Sequence, residues 1–206
     1  MGVFAAVTAT FFDTASRSAI NPFNFFGFFT MQSNILLAAL LLITAAQELT
    51  RRSRRPSWIV PARAAATTYM LIVGIVYNTL LDGLAGGVDL GWANAVLHIV
   101  FPLYALADWI LFNDRYQLPM QLVWLMLIYP LTWCAVVLIR GATDGWVPYP
   151  FLDPATGYVS VTTYVVAIAT TIAVFGMFVI WISRFHRPLR RPQRTTRDGT
   201  SDRGHL

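Results

Sequence analysis

Phe23–Gln47 reads FNFFGFFTMQSNILLAALLLITAAQ and holds no charged side chain. As a helix rising 1.5 Å per residue it is long enough for a hydrocarbon core of about 30 Å. Four polar side chains, Thr30, Gln32, Ser33 and Asn34, crowd within five positions of one half, and the other half is Leu, Ile and Ala but for Thr44 and Gln47. The stretch is predicted to span a membrane with a polar patch near one end. Unpaired backbone is intolerable in lipid, so a chain made of such stretches is a helical bundle.

Comparable apolar segments lie within Trp58–Leu84, Trp92–Phe112, Leu118–Ile139 and Tyr158–Phe185, and a shorter one at Met1–Phe12 stops at Asp13. Trp58, Trp92, Tyr116, Trp146 and Tyr158 flank them, as expected of interfacial aromatic belts. Over all 206 residues, 56% are hydrophobic and only 12% charged, with mean hydropathy +0.56; soluble domains carry about 25% charged residues. No length is left for a soluble catalytic domain. The expected architecture is an all-α membrane protein, a six-helix transmembrane bundle with a short first helix over residues 1–185. Residues 186–206, rich in Arg, Pro and Thr without apolar periodicity, are expected to form a disordered cytoplasmic tail.

Net charge is +5, and all 15 basic residues are Arg. Arg51, Arg52, Arg54, Arg55, Arg63, Arg115 and the seven arginines from Arg184 onward fall on one side of the expected bundle; Arg17 and Arg140 fall on the other. The positive-inside rule makes the first side, with both termini, cytoplasmic. The basic loop and tail are expected to meet anionic lipid, not nucleic acid. Cys134 is alone, so no intramolecular disulfide or cysteine metal site can form, and neither metal nor cofactor is expected.

Polar side chains inside spans are costly and mark function or helix–helix contact. Thr30 and Asn34, Asn78 and Asp82, and Asn94 and His98 are each four apart, so each pair shares a helix face. Thr30 and His98 each lie seven residues inside their helices, about 10 Å deep at 1.5 Å per residue, and Asn78 lies about 6 Å deep by the same rise. A hydroxyl, an imidazole and carboxamides therefore share one layer, expected in the outer leaflet. Pro102 removes the helical bond to the carbonyl of His98 and should open the helix there.

A hydroxyl beside an imidazole is a nucleophile–base pair: Thr30 attacks an ester carbonyl and His98 takes its proton. Gln32, Asn34 or Asn78 would contact the oxyanion or substrate, and Asn94, Asp82 or Asp153 would orient the imidazole. The structural alternative bonds Thr30 to the carbonyl of Phe26 and leaves the other residues as interhelical glue. Asp108, deeper in the His98 helix, either anchors the interface or belongs to a proton path. After the fifth span, Arg140-Gly-Ala-Thr-Asp-Gly-Trp-Val-Pro-Tyr-Pro-Phe-Leu-Asp153 reads as an outer cap carrying Trp146, Tyr149 and Phe151, with Arg140 facing Asp144, Asp153 or a lipid anion. The hydrolase, Walker and zinc motifs are absent from the sequence.

The segments FFTMQSNILLA, VYNTLL, LHIVFPLYALADW and RGATDGWVPYPFLD resemble a bacterial, mostly actinobacterial, family of six-helix membrane proteins of unassigned biochemistry. That family is distantly similar to the androgen-induced membrane proteins of animals, intramembrane threonine hydrolases that cleave fatty acid esters of hydroxy fatty acids. The resemblance implies a bacterial plasma-membrane hydrolase of lipid esters, with Thr30 and His98 as its functional pair. The shortened first helix, the Arg-rich tail and the GWVPYPFLD cap depart from that pattern. A non-catalytic lipid-binding or carrier protein and a proton-linked transporter are the alternatives.

Overall fold

A computed structural model describes residues 2–50, 56–83, 88–112 and 116–185. The Arg-rich tail 186–206, Arg51, Arg52, Arg54, Arg55 and Arg115 lie outside them, so the lipid-facing role expected of those arginines is not described here. Among the described residues every element is helical. The chain runs α1 (Gly2–Arg17), α2 (Pro22–Gly27), α3 (Phe29–Leu49) and α4 (Ile59–Val76). A short α5 (Gly91–Ala95) leads into α6 (Phe101–Leu111), followed by α7 (Leu122–Thr143) and α8 (Tyr158–Ile182). A π-helical turn, Tyr77–Leu81, prolongs α4, and another, Val96–Val100, joins α5 to α6.

Among the described residues, five units are long and apolar enough to cross a membrane: Phe29–Leu49, Ile59–Leu81, Gly91–Leu111, Leu122–Thr143 and Tyr158–Ile182. The central one is α4, packed on α3, α6 and α8, with 67% of its apolar window buried against 22% for α7 and 28% for α8. Those two outer helices present Trp124, Leu125, Ile139, Val166 and Trp181 on the surface, the pattern of side chains facing lipid.

Four boundaries differ from the sequence reading, each for a local reason. The first helix does not end at Phe12 but continues to Arg17, where Arg17 pairs with Asp13 one turn back and with Asp89. It packs on α3 and α5 and is not among the five helices long and apolar enough to span, so a six-helix span count is not what the structure shows. The fifth span extends through Thr143, so Arg140 is helical. Arg63 is no loop residue: it lies in α4, 3% exposed, with its guanidinium 2.6 Å from Asp108 of α6.

The fourth difference shapes the site. The opening stretch is not one helix but two, parted by Phe28 in extended conformation (φ −63°, ψ 134°). Pro22 begins α2, and the Asn21 side chain accepts from the N–H groups of Phe23 and Asn24, a favoured start. At the break, Trp133 Nε1 donates to the Gly27 carbonyl at 2.8 Å, and Gln32 Nε2 donates to the Phe26 carbonyl at 3.0 Å. The Trp146 ring lies so close that a Cβ on Gly27 would sit 2.7 Å from it. The freed backbone is thus satisfied by side chains, as an interrupted helix in lipid requires.

Candidate functional site

Thr30 is the second residue of α3, immediately past the break, and is 7% exposed. Its position changes its chemistry. Helical threonines usually return their hydroxyl to the carbonyl four residues back; Thr44, Thr68, Thr79 and Thr170 do so at 2.8–2.9 Å. For Thr30 that carbonyl is that of Phe26, which belongs to α2 across the break and accepts from Gln32 Nε2. Thr30 Oγ1 instead lies 3.4 Å from the Tyr149 hydroxyl, which also accepts from the Thr30 N–H at 3.4 Å. These long contacts leave the threonine loosely held.

His98 sits within the π-helical turn Val96–Val100 and is 4% exposed. Its Nδ1 is 2.6 Å from Asn94 Oδ1 and 3.2 Å from the Asn94 carbonyl. Both neighbours are acceptors, so Nδ1 carries the proton and Nε2 keeps the lone pair. The Tyr77 ring stacks on the imidazole at 3.6 Å and 16°. π-Helical turns recur at functional sites because the extra residue re-aims side chains; the two found here supply Tyr77 and His98 to each other.

Pro102 opens the helix at His98 as expected, and the freed carbonyl is met by Asn78. Its Nδ2 donates to the His98 carbonyl at 3.2 Å and to the Gly74 carbonyl at 2.7 Å. Gly74 permits this approach, since a Cβ there would lie 3.1 Å from Pro102 Cβ. Asn34 uses its amide similarly, donating to the carbonyls of Thr30 (2.9 Å) and Leu97 (3.3 Å). One side chain therefore ties the backbone at Thr30 to the residue preceding His98.

Thr30, His98, Tyr77 and Tyr149 line a cavity of about 330 Å³ bounded by α1, α2 and the cap. Thr30, Tyr77 and Tyr149 also border a narrow apolar slot of about 70 Å³ between α4, α7 and α8, with Val73, Leu131 and Cys134 on its walls. These residues form the partition between a polar vestibule and a dry slot.

The remaining expected site residues are placed as follows. Gln32 faces α7, accepting from the Tyr129 hydroxyl at 2.6 Å. Asp82 is exposed at the end of the α4 unit, and Asp153 caps its own turn by accepting from the Ala155 N–H; Asn94 is the residue on Nδ1. Both amide hydrogens of Asn34 and of Asn78 go to backbone carbonyls. In the cap, Tyr149 and Phe151 stack at 5.3 Å, and Trp146 packs edge-on against Phe28. Arg140 pairs with Asp144 at 2.6 Å, reaches Asn24 Oδ1 at 2.9 Å and lies 4.3 Å over the Trp146 ring. The Trp146 N–H and the Arg140 guanidinium hold the Asp144 carboxyl below its ordinary value, while burial raises the Tyr149 phenol. Asp108, the residue of the proton-path alternative, is ion-paired with Arg63.

The sequence reading missed Tyr77 and the direct contact of Tyr149 with Thr30. The signal for Tyr77 was its place beside Asn78 in VYNTLL, but only a π-turn brings both residues of that pair to His98. Among the described residues no cluster of His, Cys, Asp and Glu is arranged to hold a metal ion. Comparison with protein-family models, with curated proteins and with solved structures finds no match.

Proposed function

We propose that this protein is a multi-pass membrane hydrolase of lipid esters, with Thr30 as nucleophile and His98 as general base. The observation that carries the reading is the state of Thr30: a buried hydroxyl, released from the usual helix bond, on the same cavity wall as an imidazole whose Nδ1 is already engaged. In the reaction, Thr30 Oγ1 attacks the ester carbonyl carbon while its proton passes to His98 Nε2. The tetrahedral intermediate collapses, the C–O bond to the alcohol breaks, and His98 returns the proton to the leaving oxygen. Water then enters through the vestibule, is deprotonated by His98 and cleaves the acyl–threonine, restoring both residues.

Asn94 is a positioning residue that fixes the tautomer of His98. Charge on the carbonyl oxygen is met by the Tyr149 hydroxyl, whose oxygen already accepts from the Thr30 N–H and whose proton is left to donate. This reading moves the oxyanion role away from Gln32, Asn34 and Asn78, whose amides are committed elsewhere. The polar layer lies in the outer leaflet, both termini face the cytoplasm, and the partners are lipid esters of a bacterial plasma membrane. No cofactor takes part.

The test offers the purified full chain long-chain esters and a fluorophosphonate probe. Wild type is expected to hydrolyse and to label at Thr30, with both signals lost in Thr30→Ala and His98→Ala. If wild type neither labels nor hydrolyses anything that the variants spare, the protein is a carrier and not an enzyme.

A further inference from the structure

The vestibule's own chemistry restricts what it accepts. Thr10 and Thr14 line it from one face of α1, the Thr10 hydroxyl donating to the Ala6 carbonyl; Ser18 follows just past the helix end, and Asn21 and Asn24 continue the wall into α2. At about 330 Å³ the space far exceeds the 10–15 Å³ or so that one water needs. It is a headgroup-sized compartment. Apart from the His98 imidazole, every polar side chain that lines it among the described residues is a hydroxyl, a phenol or a carboxamide.

The charges nearest in sequence are spent outside it. Arg17 pairs with Asp13 and Asp89, and Arg140 with Asp144 and Asn24. A carboxylate or phosphate drawn into the vestibule would find no free arginine there, only the buried His98 imidazole, and burying an anion without a cationic partner is strongly disfavoured. Hydroxyls and carboxamides instead both donate and accept. Asn21 Oδ1 and Asn24 Oδ1 already accept from Phe23 N–H and from Arg140, which leaves their amide N–H groups for a ligand oxygen.

We infer that the vestibule binds an uncharged, hydroxyl-bearing headgroup, so that the substrate is a neutral polyol ester of the monoacylglycerol class; the slot beyond the Thr30–Tyr77–Tyr149 partition has room for only the first few carbons of its acyl chain, and the rest runs out into lipid. This rests on the esterase reading for the reaction, though not for the binding preference. It departs from the resemblance, which implies an ester bearing a free carboxylate.

Binding is tested first, on the full chain in phosphatidylcholine nanodiscs, with three non-hydrolysable probes of equal chain length: 1-O-dodecylglycerol, laurate and dodecyl phosphate. The glycerol ether is expected to bind at least tenfold tighter than either anion. In Thr14→Lys, which places a cation on the wall, the preference is expected to turn toward laurate. Equal or tighter binding of either anion by wild type, or no binding of any probe, overturns the inference without need of the variant. Hydrolysis is then compared for monolauroylglycerol, a lauroyl ester of a hydroxy fatty acid and the methyl ester of the latter. The first and third are expected to exceed the second at least tenfold in kcat/KM. Selective binding without hydrolysis supports the headgroup inference and sinks the esterase; hydrolysis that favours the free carboxylate does the reverse.

Discussion

Two prolines interrupt two spanning helices, and the same neighbour repairs both. Pro102 in α6 frees the carbonyl of His98, and Asn78 of the α4 unit donates to it; Pro130 in α7 frees the carbonyl of Met126, and the Tyr69 hydroxyl of α4 donates to it at 2.8 Å. The surroundings then diverge. Around Tyr69 lie Phe29 and Tyr129, rings 5.2–5.9 Å apart, in a dry aromatic wall. Around His98 lie Asn94, Tyr77 and a polar cavity. A proline break in lipid thus demands a donor wherever it occurs, and is not in itself a mark of function. What distinguishes the His98 break is polar capacity left over after the repair, in the imidazole and in Thr30.

The sharpest way to break this contrast is Thr30→Ala. Activity is expected to fall at least about a thousandfold, as for loss of a nucleophile, with thermal stability nearly unchanged because the hydroxyl makes only long contacts. Activity retained by the alanine variant would reduce the His98 break to the same structural status as the Pro130 break. Next in size, Asn94→Leu should lower kcat about a hundredfold with little change in KM, by releasing the imidazole from its tautomer. Asn94→Asp, which keeps an acceptor on Nδ1, should recover most of that loss, and a leucine variant as fast as wild type would remove Asn94 from the mechanism.

Stability distinguishes the two repairs more gently. Tyr69→Phe orphans a carbonyl in the aromatic wall and is expected to cost about 1–3 kcal/mol, while activity per folded molecule stays within about twofold of wild type. Asn78→Ala, at the half-exposed edge, should cost less in melting temperature and more in kcat, because His98 is then no longer anchored through its carbonyl. Equal stability losses and equal activities for the two variants would erase the difference between the breaks.

The smallest effect concerns the cap, whose Tyr149 borders the cavities on both sides. Asp144 is held below its ordinary value of 3.8 by the Trp146 N–H and Arg140, so its stabilising contribution is present above that value and is lost as pH falls through the lowered one. Trp146 fluorescence should therefore change below about pH 4, and Asp144→Asn should remove this acid transition. An unaltered titration in the variant would detach Asp144 from the cap.

The arrangement of helices was largely legible, because hydropathy is a local property and the bilayer demands long uncharged runs. The boundaries that escaped were those set by contacts from afar. Phe23–Gln47 carries no proline or charge that announces a break at Phe28; Trp146 and Trp133, more than a hundred positions away, hold it open. Arg63 reads as a loop arginine until Asp108, 45 residues on, is found beside it. At the site, the four-residue spacing of Asn94 and His98, and of Thr30 and Asn34, marks contacts that form, and Thr30 and His98 line one cavity. Tyr77 was not legible in this way, because a π-turn shifts the register on which such spacing depends.

By itself, then, the sequence determined that the chain is a bundle of apolar helices, and that a few uncharged polar groups share one layer of it, since composition and periodicity act residue by residue. Only the tertiary structure decided which of those groups still have hydrogen-bonding capacity to use. Gln32 is engaged by Tyr129, Asn34 and Asn78 by backbone carbonyls, and His98 on one nitrogen by Asn94. Each donor or acceptor is filled by whichever partner the fold brings within about 3 Å, and that allocation is a property of packing between distant segments.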